Sequence, residues 1–268
     1  MAPFDFHQFL YGSDNYGVLM HDPLSGQTAA IDAGDAQAYL AAAEQKGWQI
    51  SHILITHHHG DHTEGLELLA KQTKAAIFGP SGQQPGHQFI TSTLIEGDRL
   101  DFGGEQIEVI ATPGHTLDML NYYLPAQKVC FTGDTLFALG CGRVFEGTPS
   151  MMWESLKKLM LLPQDTILYS SHEYTEANAK FALTIDPDNA ALIARCASVS
   201  EKRGKGQPTV PSLLSEELAT NPFLRFESPE LRAAIGAEPG ASRAAIFELT
   251  RRLKDSKRYR ERALEELL

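Results

Sequence analysis

The chain lacks the features that would place it outside the ordinary globular class. It has only three cysteines, Cys130, Cys141 and Cys196, odd in number and widely spaced, so no disulfide framework is implied and a cytoplasmic, reducing compartment is expected. No uninterrupted apolar run approaches the roughly 18 residues of a membrane helix. The opening MAPFDFHQFL has no basic region and an early Asp5, so no signal peptide is expected. Internal repeats and low-complexity tracts are absent as well. Basic residues are scarce in one part of the chain only: residues 1–172 carry 8 Lys and Arg against 19 Asp and Glu, whereas residues 173–268 carry 15 of each. The whole net charge of −11 therefore lies in the first two-thirds. Such a chain is not a general nucleic-acid binder, which needs a broad basic surface to displace counterions from phosphate.

What remains is 268 residues, 43% of them hydrophobic, a length that buries about three-quarters of its unfolded surface and needs no covalent staples. Short β-branched or aromatic segments bounded by Gly, Pro, Asn or Asp predict strands at residues 17–21, 28–31, 51–56, 75–78, 106–111, 121–124, 128–132 and 166–170. Helices are predicted at 36–46, closed by Gly47, at 64–72, and at 149–162 behind Thr148 as cap and Pro149 at the first helical position. After His172 the pattern turns helical, with segments at 175–185, 189–203, 212–218 and 243–262. Strands and helices at this density imply a layered α/β or α+β sandwich, with a boundary near residues 172–175.

The most informative segment is Thr56-His57-His58-His59-Gly60-Asp61-His62, directly after the apolar run Ile53-Leu54-Ile55. In an extended chain alternate residues share a face, so His57 and His59 point together and His58 points away. Gly60 permits a turn that presents Asp61 and His62 as a second pair. Imidazole nitrogens with carboxylate oxygens suit zinc or another first-row divalent metal. The sequence of strand, tight turn and candidate ligand recurs at Thr112-Pro113-Gly114-His115-Thr116, at Thr132-Gly133-Asp134-Thr135 and at Ser171-His172-Glu173-Tyr174. These sites together supply five His and two Asp, enough for two metals sharing a carboxylate. Asp32 ends a strand and is a candidate acceptor for a ligand imidazole, although Asp two residues before a Gly is also ordinary turn chemistry. For His58 the expectation is loop packing or a bond to a neighbouring side chain rather than acid catalysis. Cys130 and Cys141 read as small apolar packing.

On these residues the sequence resembles the metallo-β-lactamase superfamily, and within it the glyoxalase II (hydroxyacylglutathione hydrolase) family, over nearly the whole chain. The resemblance extends through Gly133-Asp134-Thr135-Leu136-Phe137, Gly140-Cys141-Gly142-Arg143, Glu146-Gly147-Thr148, Pro208-Thr209-Val210-Pro211-Ser212, Asn221-Pro222-Phe223 and Arg251-Arg252-Leu253-Lys254-Asp255. It implies an αββα sandwich over residues 1–172 and a smaller α-helical, glutathione-binding domain over 173–268. By the family pattern His57, His59 and His115 bind one metal, Asp61, His62 and His172 a second, and Asp134 bridges them. Two divalent ions are implied, with zinc expected and iron or manganese as alternatives.

The implied reaction converts S-D-lactoylglutathione and water to D-lactate and glutathione, through attack of a metal-bridging hydroxide on the thioester carbonyl, with Asp61 and Asp134 as the catalytic carboxylates. Substrate contacts map onto Arg143, Phe145, Tyr174, Arg251 and Lys254. Without the family, Arg251 and Lys254 would read as a solvated helix face. Glutathione carries two carboxylates, so cations at these positions make chemical sense. The partner is thus a small glutathione thioester, with no nucleic acid and no membrane, and a monomer is expected. Three departures stand out: Arg143 where some members have Lys, Phe145 where some have Tyr, and Asp118-Met119 where a related motif continues as Gly-His. Within the superfamily a lactonase, a mononuclear-iron persulfide dioxygenase, a β-lactamase and a tRNA-processing phosphodiesterase are the competing enzyme readings, and a non-catalytic sensing module is the competing class. Residues 251–262 hold 7 basic and 2 acidic side chains, so a small anion can be captured despite the acidic total.

Overall fold

The computed structural model describes residues 3–257, 259, 263–264 and 266–268, and within them two six-stranded sheets pack face to face. The first sheet runs in chain order through β1 (Asp5–Tyr11), β2 (Asn15–His21), β3 (Thr28–Ile31), β4 (His52–Leu54), β5 (Ala76–Pro80) and β6 (Ser92–Leu94). Its first three strands are antiparallel and the remainder parallel. The second sheet contains β7 (Arg99–Phe102), β8 (Glu105–Ala111), β9 (Leu120–Leu124) and β10 (Val129–Gly133). A small hairpin follows, β11 (Leu136–Phe137) with β12 (Gly140–Cys141), before β13 (Ile167–Ser170) and β14 (Ser212–Leu213) complete that sheet in the order β14-β13-β10-β9-β8-β7.

Period-two alternation sorts the side chains into layers. Val18 and Met20 of β2 face the second sheet and join Ile107, Val109, Tyr122 and Phe131 in the core between the sheets. Leu19 turns to the opposite face and packs with Tyr39, Leu66 and Leu69 of the helices α1 (Ala36–Lys46) and α3 (Leu66–Thr73), between which lies the single turn α2 (Gly60–Thr63). The outer face of the second sheet is covered by α4 (Pro149–Met160) and by helices of the later chain: α5 (Thr175–Ile185), on which α6 (Ala190–Gly204) packs, α7 (Leu214–Thr220), α8 (Pro229–Ala234) and α9 (Arg243–Asp255). Phe181, Phe223 and Phe247 meet Trp153 and Leu156 there, each phenyl contributing about 1.5–3 kcal/mol by its burial. The result is the αββα sandwich with a helical region that the sequence implies.

Local chemistry sets the helix ends. The Asp35 carboxylate accepts from the backbone N–H of Gln37 and Ala38, and Gly47 closes α1 at φ 69°. Thr148 caps α4 by accepting from Met151 N–H, with Pro149 in the first turn. Two expected helices differ from those observed. Residues 212–213 are strand rather than helix, because Ser212 pairs with Leu168 and its hydroxyl donates to the buried Glu217 carboxylate, adding an edge to the second sheet. Helix α9 ends at Asp255 rather than at 262, and residues 258 and 260–262, which hold three of the seven basic side chains of segment 251–262, lie outside the described residues.

Candidate metal centre

Strands β8, β10 and β13 run in the same direction, as do β3 and β4, and the loops after all five converge at one end of the sandwich. The loop after β3 carries Asp32, that after β4 carries His57 to His62, that after β8 carries His115, and those after β10 and β13 carry Asp134 and His172. Two glycines are required by close approach. A Cβ at Gly34 would lie 1.9 Å from the Asp61 carbonyl oxygen, and one at Gly142 would lie 1.9 Å from that of Asp134, far inside any permitted contact.

The seven candidate ligands come together in two sets. His57 Nε2 and His115 Nε2 each lie 3.1 Å from His59 Nδ1. On the other side His62 Nε2 and His172 Nε2 lie 3.5 and 3.4 Å from Asp61 Oδ2. Asp134 stands between the sets: its Oδ2 is 3.2 Å from His115 Nε2, while its Oδ1 is 3.5 Å from His62 Nε2 and 3.4 Å from His172 Nε2. Donor atoms around a tetrahedral ion with bonds of about 2.0–2.1 Å sit about 3.3 Å apart, so these spacings are those of ligands around a cation. His62 Nε2 and Asp134 Oδ1 are buried and make no hydrogen bond, which a buried polar atom does not sustain without a partner such as a cation. The donor set therefore fits divalent metal ions, and the clusters indicate divalent metal binding.

The far side of three of the imidazoles is held by an acceptor. His62 Nδ1 lies 2.8 Å from Asp32 Oδ2, His172 Nδ1 lies 2.9 Å from Asp14 Oδ1, and His115 Nδ1 lies 2.8 Å from the Arg143 carbonyl. Carboxylates and carbonyls only accept, so each Nδ1 carries a proton and each Nε2 is the ring atom turned to the centre. Asp32 is fixed in turn by the Thr56 N–H and hydroxyl. Asn15 donates to Asp61 Oδ2, and the Tyr11 hydroxyl donates to the Asp61 carbonyl. Burial, then the nearby His62, holds His57 well below the ordinary histidine value, and burial also lowers His59 and His115. Burial disfavours the charged form of His62 too, but Asp32, Asp134 and Asp61 outweigh it and raise that imidazole to about 9. For Asp134 burial opposes ionisation, yet His172, His62 and His115 overcome it and hold the carboxyl well below its usual range.

Beside the centre opens a cleft of about 310 Å³ lined by all five expected substrate contacts. Arg143 and Phe145 stand on its rim, the guanidinium 4.6 Å from the Phe145 ring centre. Phe145, 52% exposed, packs against His115 and His59 at 5.2 and 5.8 Å. Tyr174 stacks on His172 at 4.6 Å. Arg251 and Lys254 are each only 7% exposed: α9 turns them inward, where Arg251 bonds the Cys141 carbonyl and Asp255, and Lys254 donates to Asn178. Cys130 and Cys141 are buried free thiols, and Cys141 also borders the cleft.

Sequence reasoning missed Asp14 and Asn15, which support ligands on opposite sides of the second set. The signal was a hairpin, because two aromatic-rich segments flank Gly12-Ser13-Asp14 and pair from Asp5↔His21 to Tyr11↔Asn15. His58 faces away from the centre as expected, towards Asp118 and Glu146. Met119 is fully buried and serves through its carbonyl, which accepts from Thr112 N–H.

Comparison with known proteins followed from this geometry. A family model described as the metallo-beta-lactamase superfamily matches residues 9–172, and one described as the hydroxyacylglutathione hydrolase C-terminus matches residues 173–257. The hydroxyacylglutathione hydrolase of Rhizobium meliloti (strain 1021) is 50% identical over 256 residues, which cover 96% of this chain and 100% of that protein. The protein of the same name from Brucella ovis is 50% identical over 248 residues, 92% of this chain and 96% of its own. Among solved structures, ETHE1 from Myxococcus xanthus matches with a TM-score of 0.66 at 25% identity, over 92% of this chain and 89% of that one.

Proposed function

The chain belongs to the hydroxyacylglutathione hydrolases of the metallo-β-lactamase superfamily, and from that membership we propose how it hydrolyses S-D-lactoylglutathione to D-lactate and glutathione. The observation that carries the reading is Asp134, whose two oxygens face two different sets of imidazole nitrogens. We assign two divalent ions, zinc in the first instance: His57, His59 and His115 hold one, Asp61, His62 and His172 the other, and Asp134 serves both. When bound, such ions supply a nucleophilic water at neutral pH and a positive charge for the carbonyl oxygen that becomes negative.

The chain's own residues supply binding, orientation and proton handling. Arg143 on the rim and Arg251 and Lys254 within the cleft meet the two carboxylates of glutathione, with Tyr174 and Phe145 forming walls beside the reacting bond. Asp61 Oδ2, oriented by Asn15 and the more exposed of the two carboxylates, is placed to take the proton of the attacking water. Hydrolysis forms a C–O bond and breaks the C–S bond. The departing thiolate belongs to a thiol of pKa about 8.5 and leaves with little acid help, which agrees with His58 facing out of the site.

Residues 1–172 act as the catalytic unit and 173–268 as the glutathione-binding unit. Three free thiols suit a reducing cytoplasm, and the chain is assigned as a monomer. Among the described residues no helix is long and apolar enough to cross a membrane. The test is hydrolysis of lactoylglutathione beside a lactone and a β-lactam, with metal content measured on the same sample. Rapid loss of the thioester and little of the others is expected; an intact thioester in a protein carrying two metals overturns the reading.

A further inference from the structure

The pair of residues where this sequence departs from the related motif, Asp118-Met119, carries a carboxylate that nothing in the reaction above uses. Asp118 is largely buried and bridges two imidazoles from separate loops, with Oδ1 3.0 Å from His58 Nδ1 and Oδ2 3.0 Å from His87 Nε2. The other nitrogen of His58 lies 3.4 Å from Glu146 Oε1. Glu146 Oε2 in turn accepts from the Leu117 N–H at 2.7 Å. Four segments are thereby joined: the loop of His57 and His59, the loop of His115, the turn carrying His87, and the segment from Arg143 to Glu146. The last is also held by backbone, since the N–H groups of Phe145 and Glu146 both donate to the His115 carbonyl.

The placement is one-sided. The set Asp61, His62 and His172 has its own supports in Asp32, Asp14 and Asn15. In the set His57, His59 and His115, only His115 is anchored to a strong acceptor, the Arg143 carbonyl, while His57 Nδ1 meets the Thr56 hydroxyl and His59 leans on Phe145. The backbone between His57 and His59 is pinned through His58, whose side chain runs to Asp118 and Glu146 and whose carbonyl accepts from Thr63. The same Glu146 follows directly on Phe145, the ring that covers His59 and His115 and meets Arg143 on its other side.

We propose that Asp118 and Glu146 are positioning residues that lock the His57/His59/His115 set and the substrate-contacting segment 143–146 into one unit, so that metal affinity at that set and the seating of glutathione are coupled. The proposal rests on the metal and substrate assignment above. Three of these side chains, His58, Asp118 and Glu146, present donor atoms within 4.8 Å of one another, as the ligands of an ion would. The 3.0 Å contacts of Asp118 are instead those of hydrogen bonds from imidazole N–H to carboxylate.

The experiment compares the full chain with Asp118→Ala, Asp118→Asn, Glu146→Gln and the Asp118→Ala/Glu146→Gln double variant. Zinc is withdrawn stepwise with a competing chelator, without any thioester present, and KM and kcat are then measured on lactoylglutathione. Removing a direct outer partner of a metal-binding imidazole costs about tenfold to a hundredfold in affinity, and Asp118, which acts one step further out through His58, is set at the lower end of that range, about tenfold. Asp118→Ala is therefore expected to weaken one ion by about that factor and leave the other within about twofold, with anomalous scattering at half-saturating zinc showing the His57/His59/His115 set emptied first. KM is expected to rise several-fold while kcat of the fully loaded enzyme changes less, Asp118→Asn recovering part of the loss. The double variant should fall short of the product of the singles, as members of one network do. Glu146→Gln alters a partly exposed side chain and keeps the backbone intact, so it reports even where Asp118→Ala folds poorly. Unchanged zinc affinity and KM in both single variants overturn the proposal. So does equal weakening of both ions together with a lowered Tm, and so does a third zinc in the parent that the variants lose. Failure of the substrate assignment shows separately, as a parent enzyme inert to the thioester whose zinc readout is still interpretable.

Discussion

Replacing Asp32 with Asn changes one atom and tests whether the fixed protonation of His62 underlies the second metal set. Asp32 sits at φ 62°, a conformation that Asn tolerates as well as Asp, so no backbone strain is added. In the parent, Oδ1 accepts from the Thr56 N–H at 2.7 Å and Oδ2 lies 2.8 Å from His62 Nδ1. An amide can keep only one of these. With its oxygen on Thr56, its NH2 meets the His62 Nδ1–H, and the imidazole must move its proton to Nε2, the atom aimed at the centre. With the amide reversed, the buried Thr56 N–H loses its acceptor, at a cost of about 1–3 kcal/mol. The first arrangement removes a ligand lone pair, and loss of such outer partners typically costs about tenfold to a hundredfold in metal affinity, or roughly 1.4–2.8 kcal/mol. Competitive chelator titration of Asp32→Asn is thus expected to show one ion weakened at least tenfold, with turnover restored by excess metal. Two ions held as tightly as in the parent would refute the reasoning that Asp32 fixes the His62 lone pair.

Metal binding to the stripped protein is expected to release at least one proton at pH 7.5. His62, raised to about 9, is protonated there and must give up its Nε2 proton, and His172, opposed by burial yet raised by Asp134, adds to the release, whereas His57, His59 and His115 are lowered and already neutral. The sign follows: protonated His62 stabilises the metal-free fold fully below about 6.5, the unperturbed value, and that stabilisation fades as pH rises through about 9. Calorimetry in buffers of differing ionisation enthalpy measures the release, and none at pH 7.5 contradicts the assignment. Lys254→Met keeps the buried stem beside Phe181 and Phe223 and removes the charge. A hydrogen bond to a charged group is worth about 1.5–3 kcal/mol, so KM for lactoylglutathione is expected to rise at least tenfold with kcat within about threefold, and an unchanged KM removes Lys254 from the glutathione site.

Legibility in the sequence followed the range of the interactions. Each metal-ligand candidate follows an apolar strand within a few residues, so the ligands and their strands are visible locally, and Gly47 gave α1 its end as the cap Thr148 gave α4 its start. Strand β1 was not foreseen, because its alternating Phe, His, Gln and Leu are mostly half-buried and carry no clean apolar face. Asp14 acts on His172 across 158 positions, and Asp118 acts on His58 across 60, separations at which no pattern in a single sequence connects the pair. Strand β14 is two residues long and exists only because β13 offers an open edge. Charges on a helix ordinarily face water, so Arg251 and Lys254 carried no local sign of burial; α9 turns them inward against Phe223 and Phe181.

The direct test of the shared carboxylate is Asp134→Ala, assayed for metal content and lactoylglutathione hydrolysis on the same preparation. Among the described residues Asp134 is the one side chain whose two oxygens face both nitrogen sets, at 3.2 Å on one side and 3.4 and 3.5 Å on the other. Loss of metal together with a fall in turnover of at least a hundredfold, on the scale at which removing one group that stabilises developing charge acts, is expected. Parent-level turnover with two metals bound would contradict a binuclear centre organised around Asp134.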